Sequence, residues 1–164
     1  MIRAILVVGL LSSCATQTKV VPPLPEALPD ATGPAIIYSV GSMFEIDRDP
    51  YYDDVKSDAL ESFDGYLKII DSAEVFNIKD AQSYIDAVNG SFGEPEAFAM
   101  CFEPRHAIKY PSIYGEVTAQ ICFECGQAYI SIDGWGKQKY FVSNPNKHLD
   151  AIYDKYNVRK PVGK

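Results

Sequence analysis

The chain has 164 residues, a length that suits one ordinary domain and leaves little room for two. Hydrophobic residues make up 47% and charged residues 23%, a globular balance that excludes disorder of the whole chain. The 15 Lys and Arg residues against 22 Asp and Glu give a net charge of −7. Such an acidic chain is a poor match for a phosphate backbone, so we expect no nucleic acid as a partner.

The first 14 residues have the pattern of a secretory signal. One charge, Arg3, precedes an apolar run over residues 4–11, which is too short for a transmembrane helix of about 20 apolar residues. The run ends in Leu-Ser-Ser-Cys, which resembles the lipobox of bacterial lipoproteins. The resemblance implies a signal peptide over residues 1–13 and a membrane anchor made of acyl chains on Cys14. The alternatives are an ordinary signal peptide with a coincidental cysteine, or a cytosolic N-terminal strand.

The residue after the lipidated cysteine adds a destination. It is Ala15 rather than Asp. By resemblance to the sorting rule of enterobacterial lipoproteins, this implies transport to the outer membrane of a Gram-negative bacterium. The anchored domain would then face the periplasm.

The next part of the chain is predicted to be a tether followed by an acidic segment. Five of the 11 prolines fall within residues 22–34, which favours polyproline II or coil over residues 14–35. At about 3.1 Å per residue, such a tether reaches roughly 60 Å. Residues 36–62 form an acidic entry segment, whose apolar run over residues 36–40 is a first strand or an edge segment. The compact domain is predicted over residues 63–160.

Hydrophobic periodicity within the domain predicts an α+β fold, with an antiparallel sheet built on a long hairpin and two helices packed on it. Asp80 is the predicted N-cap of the central helix, which ends at residues 89–90, and the C-terminal helix is capped by Ser143 or Asn144. Residues 111–115 form the hairpin loop, which is expected to be longer than two residues. Strands are predicted over residues 65–70, 74–78, 97–102, 107–110, 117–123, 128–132 and 140–142.

Three cysteines and one histidine form a candidate site in this hairpin. They are spaced as Cys101-x4-His106 and Cys122-x2-Cys125. The predicted register places Cys101 near Cys125 and His106 near Cys122. Because side chains alternate along a strand, Cys122 and Cys125 share a site only if the chain turns between them. Gly126, directly after Cys125, favours such a turn.

The cluster has three interpretations. The first is a zinc site with the ligands Cys101, His106, Cys122 and Cys125, since a Cys3His set is a common tetrahedral zinc centre. The second is a disulfide from Cys101 to Cys122 or Cys125, with one buried free thiol. The third is thiol chemistry, either a redox Cys-x-x-Cys pair or a Cys–His hydrolase built on Cys122 and His106. Arg105, beside the cluster, is a candidate anion-binding residue or the partner of Glu103 or Glu124 across the hairpin.

Three sequence blocks resemble a family of small bacterial proteins that are often lipoproteins. The blocks are FxGYxxI from Phe63, CFxPRHxI from Cys101 and ICFxC from Ile121. The resemblance covers roughly the last two thirds of the chain. The family has no established activity, so the resemblance implies the domain boundaries and draws attention to these residues without supplying a mechanism.

Taken together, the sequence predicts a lipid-anchored, non-enzymatic binding or structural module of the cell envelope, with an envelope protein as its candidate partner. No complete catalytic set can be assembled from its residues. The alternative is a thiol-dependent redox protein or a Cys–His hydrolase of the periplasm.

Overall fold

The computed structural model describes residues 26–42, 46–47, 54, 60–93, 102–133, 135–143 and 147–160. In this part of the chain, an antiparallel sheet carries two helices, so the predicted α+β class is confirmed. None of the helices found there is long and apolar enough to cross a membrane.

In chain order, the described elements are β1 (Ala35–Ser42), β2 (Ser62–Phe63), β3 (Leu67–Val75), α1 (Ile78–Asn89), β4 (His106–Ser112), β5 (Gly115–Cys122), β6 (Gln127–Ile132), β7 (Gly136–Phe141) and α2 (Lys147–Lys155). The seven strands form one sheet in the order β2-β3-β1-β4-β5-β6-β7, and every neighbouring pair is antiparallel.

Strand β1 lies in the interior of the sheet, between β3 and β4. Its backbone is hydrogen-bonded on both sides, so it belongs to the compact domain and not to an entry segment. The chain before it is also packed on the domain. Leu28 is buried, its backbone N–H donates to the side chain of Asn89, and the Tyr110 hydroxyl donates to the carbonyl of Pro29. The described chain is therefore packed on the domain from Leu28 onward, upstream of the boundary predicted at residue 63.

The two faces of the sheet carry separate apolar clusters. Helices α1 and α2 cover one face, where they bury alternate strand residues such as Ile108, Tyr110 and Ile121. Neighbouring residues on a strand point to opposite faces. The smaller cluster on the other face accordingly includes Tyr38 and Ala107. We call these the helix-covered face and the open face.

Helix α1 buries the predicted stripe, although it begins three residues earlier than expected. The residues Ala81, Tyr84, Ile85 and Val88 are all buried. The N-cap is Asn77, whose side-chain oxygen accepts a hydrogen bond from the Lys79 N–H at 3.0 Å. Asp80 instead pairs with Lys155, the last residue of α2, at 2.7 Å.

The hairpin of β4 and β5 has the predicted register but a shorter loop. His106 lies opposite Ile121, and Ser112 lies opposite Gly115. Only Ile113 and Tyr114 remain for the turn, so the expectation of a longer loop is wrong. The Ser112 hydroxyl closes the turn by donating to the Gly115 carbonyl at 2.8 Å. Residues 67–75, expected as parts of two strands, form the single strand β3.

Candidate functional site

The connection between β5 and β6 is the turn that the cysteine spacing requires. The Gly126 N–H donates to the Phe123 carbonyl at 3.1 Å, and Gly126 has the positive φ of 64° that favours glycine. This turn brings the Cα atoms of Cys122 and Cys125 to 5.2 Å, and the two sulfurs form a disulfide. The Cys125 N–H also donates to the Cys122 sulfur at 3.1 Å.

This pairing differs from the predicted one, which joined Cys101 to Cys122 or Cys125. Cys101 lies outside the described residues. The segment that follows it does run beside the turn, because the Glu103 N–H lies 3.5 Å from the Cys125 sulfur. Both disulfide residues are buried, with 2% of Cys122 and 4% of Cys125 exposed. Solvent therefore barely reaches the two cysteines, although Glu124 between them is exposed.

His106 contacts aromatic rings in the helix-covered core. Its ring centroid lies 5.3 Å from that of Phe123 and 5.4 Å from that of Tyr153, both in edge-on geometry. Burial, reinforced by the Arg105 guanidinium, lowers the pKa of His106 to about 3. The ring is therefore neutral at pH 7.

The strand register separates His106 from the disulfide. His106 and Ile121 are opposite each other and share the helix-covered face. Cys122, the next residue after Ile121, points to the opposite face of the strand. Among the described residues, no group of three or more His, Cys, Asp or Glu side chains is placed to hold a metal ion. The four-ligand zinc set includes Cys101 and so stays a prediction.

Arg105 joins the start of β4 to the cysteine turn. Its guanidinium lies 3.4 Å from the Glu124 carboxylate, which is one of the two pairings expected across the hairpin. Its backbone N–H donates to the Ile121 carbonyl at 3.1 Å, and its carbonyl accepts from the Val40 N–H at 2.9 Å. An external anion at Arg105 would have to compete with the carboxylate already there.

The open face carries a polar network that the sequence analysis did not anticipate. Gln120, of which only 1% is exposed, accepts hydrogen bonds from the Tyr66 hydroxyl and the Lys137 ammonium, each at 3.2 Å, and donates to Asp64. Lys137 also pairs with Asp64 at 2.9 Å and lies over the ring of Tyr129. Burial raises the pKa of the Asp64 carboxyl, but the hydrogen bonds from Lys137 and Gln120 outweigh it, and the net shift is downward.

This network links the β2–β3 turn, which contains Asp64 and Tyr66, to residues of β5 and β7 on the open face. Its members satisfy one another, which indicates a structural role. Asp64 and Lys137 are 73 positions apart, so no local pattern connects them. The one available signal was Gln120, an amide between the apolar residues of a buried strand.

Comparison of the chain with protein-family models, curated proteins and solved structures gives no match. The interpretation of the site therefore depends on the residues described above.

Proposed function

We propose that this protein is a lipid-anchored module of the bacterial cell envelope. Acyl chains on Cys14 hold it to the outer membrane, with its domain in the periplasm. The domain acts by binding or by structural support, not by catalysis. The observation that carries the proposal is the buried Cys122–Cys125 disulfide behind a signal-like N-terminus.

The disulfide supports the proposed compartment. Disulfides persist in exported proteins and are rare in a reducing cytoplasm. The bond closes a loop between residues separated by only three positions, at the point where β5 passes into β6. Such a bond fixes a turn in a domain that must remain folded outside the cytoplasm.

The geometry of the thiols and of His106 supports a non-catalytic role. Reactive cysteines are partly exposed and held as thiolates. Both sulfurs of the turn are buried and oxidised. The hydrolase alternative also needs a base beside Cys122, but the lowered pKa of His106 makes it a weak base, and its ring lies on the other face of the sheet.

The anchor is tested by metabolic labelling with palmitate in a Gram-negative host. The wild-type chain should incorporate the label and fractionate with the outer membrane. The Cys14→Ala variant should do neither, whereas the matched control Cys101→Ala should retain both. Label in the Cys14→Ala variant would rule out lipidation at that residue.

The role of the thiols is tested by alkylation of the full-length exported protein. Under denaturing, non-reducing conditions one thiol, Cys101, should react, and reduction should release two more, Cys122 and Cys125. In the native protein the turn should resist both mild reduction and alkylation. Fast, selective alkylation of Cys122 or Cys125 near neutral pH after mild reduction would favour the redox alternative.

A further inference from the structure

One end of the sheet exposes a group of large apolar side chains. At this end β1 begins, β3 ends, and the β4–β5 and β6–β7 turns lie. Six large hydrophobic side chains are exposed among the described residues, and four of them are here. They are Phe76, Ile78, Ile113 and Tyr114, which are 71%, 47%, 77% and 44% exposed. We call these four residues the apolar tip.

The first described residue, Glu26, lies at the same end. Glu26 and Leu28 line one groove together with Ile113 and Tyr114. Eleven residues separate Cys14 from Glu26, and even a fully extended chain of that length spans only about 40 Å. This connection is shorter than the predicted 60 Å tether, because residues from Leu28 onward are packed on the domain.

We propose that the apolar tip docks on the surface of the lipid bilayer that holds the Cys14 acyl chains. This inference rests on the proposed lipid anchor. A short connection makes the encounter of the tip with the bilayer intramolecular, and thus favours it over encounter with a free partner. Large apolar side chains grouped on one exposed surface are typical of protein or membrane contacts.

The charges around the tip define the kind of lipid surface. Four exposed carboxylates, those of Glu26, Asp30, Glu116 and Asp133, surround the tip against one exposed cation beside Ile78, Lys79. These carboxylates would repel an anionic surface. Docking therefore depends on insertion of apolar side chains among neutral lipids, and it should weaken as the fraction of anionic lipid rises, most clearly at low salt.

The single tryptophan of the chain reports on this docking. Trp135 lies in the β6–β7 connection, and its ring centroid is 5.2 Å from that of Tyr114. The acylated full-length protein is reconstituted on phosphatidylcholine vesicles with brominated acyl chains, which quench nearby indole fluorescence. Flotation of the vesicles reports the anchor, and the fall in Trp135 emission relative to unbrominated vesicles reports the docking.

A double variant removes two members of the tip without touching Tyr114. In one population of anchored molecules the domain is docked on the bilayer, and in the other it is held away from it. Phe76→Asp with Ile113→Asp should lower the ratio of the first population to the second by at least about tenfold for each lost apolar side chain. The emission should then return to its value in unbrominated vesicles. The matched control is Phe141→Asp, which removes an apolar side chain of 43% exposure at the opposite end of the sheet and should keep the quenching.

The outcomes separate the docking from the anchor. Flotation without quenching overturns the docked tip and leaves the lipid anchor intact, whereas failure to float overturns both. Equal quenching in the double variant and the wild type also overturns the docking. A chemically cross-linked dimer, with Trp135 emission insensitive to bromine, would show that a second copy covers the tip.

Discussion

Acidification should destabilise the fold through His106. Burial, together with the Arg105 guanidinium, lowers the pKa of this side chain from its ordinary value of 6.5 to about 3. Between these values the unfolded chain binds a proton that the folded chain does not, so stability is full above about pH 6.5 and falls as the pH falls. Each pH unit costs at most about 1.4 kcal/mol, which gives an upper limit of about 3 kcal/mol between pH 7 and pH 4. Because the residue keeps partial contact with solvent, we expect about 2 kcal/mol.

The assay is urea unfolding at pH 7, 6, 5 and 4 for three proteins. His106→Phe should lose about 2 kcal/mol less than wild type over this range, because its side chain cannot take up a proton. The comparison concerns the pH dependence, so a constant packing change and the titration of carboxylates cancel. The chain has two histidines, and the variant His148→Gln separates the contribution of His106 from that of the second imidazole. Parallel pH profiles for wild type and His106→Phe would refute the reasoning.

Two of the turns are tested by further variants. Replacing Cys122 and Cys125 together by Ala should lower the free energy of unfolding by about 2 kcal/mol, which is the chain-entropy value for closing so short a loop. The urea midpoint measures this loss, and an unchanged midpoint would mean that the bond does not constrain the unfolded chain. Gly115→Ala should cost about 1–3 kcal/mol, because φ is +114° and an added Cβ would lie 2.9 Å from the Asp133 Cβ. At Gly93 an added Cβ would meet no atom within 4 Å and φ is not positive, so the free energy of unfolding of Gly93→Ala should stay within about 0.5 kcal/mol of wild type. Equal melting temperatures for the two glycine variants would contradict this account.

Local periodicity was enough to predict the helix stripe and the hairpin register, because both depend on residues close in sequence. The place of β1 in the middle of the sheet depends on pairing with β3 and β4, about 35 and 70 positions away. No local pattern contains that information. The hairpin loop was overestimated because Pro111 was taken as part of the turn. It lies past the residues of β4 that pair with β1, where the strand accommodates a residue without an N–H.

The candidate site was predicted in position but not in orientation. The register brought residues 101–106 alongside residues 121–125, and the Glu103 contact with Cys125 agrees with it. Alternation along a strand predicts which side chains share a face, but it does not predict which face the helices cover. Ile121 and Cys122 are neighbours, yet the first contributes to the helix-covered core and the second begins the disulfide turn. The open-face network could not be predicted from the sequence because its members come from three separate parts of the chain.

The Cys122–Cys125 bond also changes what the zinc hypothesis requires. Two of its four ligands are consumed by the disulfide, so metal binding would first need a two-electron reduction that returns both thiols. His106 would then have to leave its contacts with Phe123 and Tyr153 to reach the sulfurs on the other side of the strand. Both steps oppose metal binding in an oxidising compartment, where thiols tend to pair. Under the proposed location, the disulfide and the neutral histidine are therefore better explained as separate supports of one turn than as halves of a metal centre.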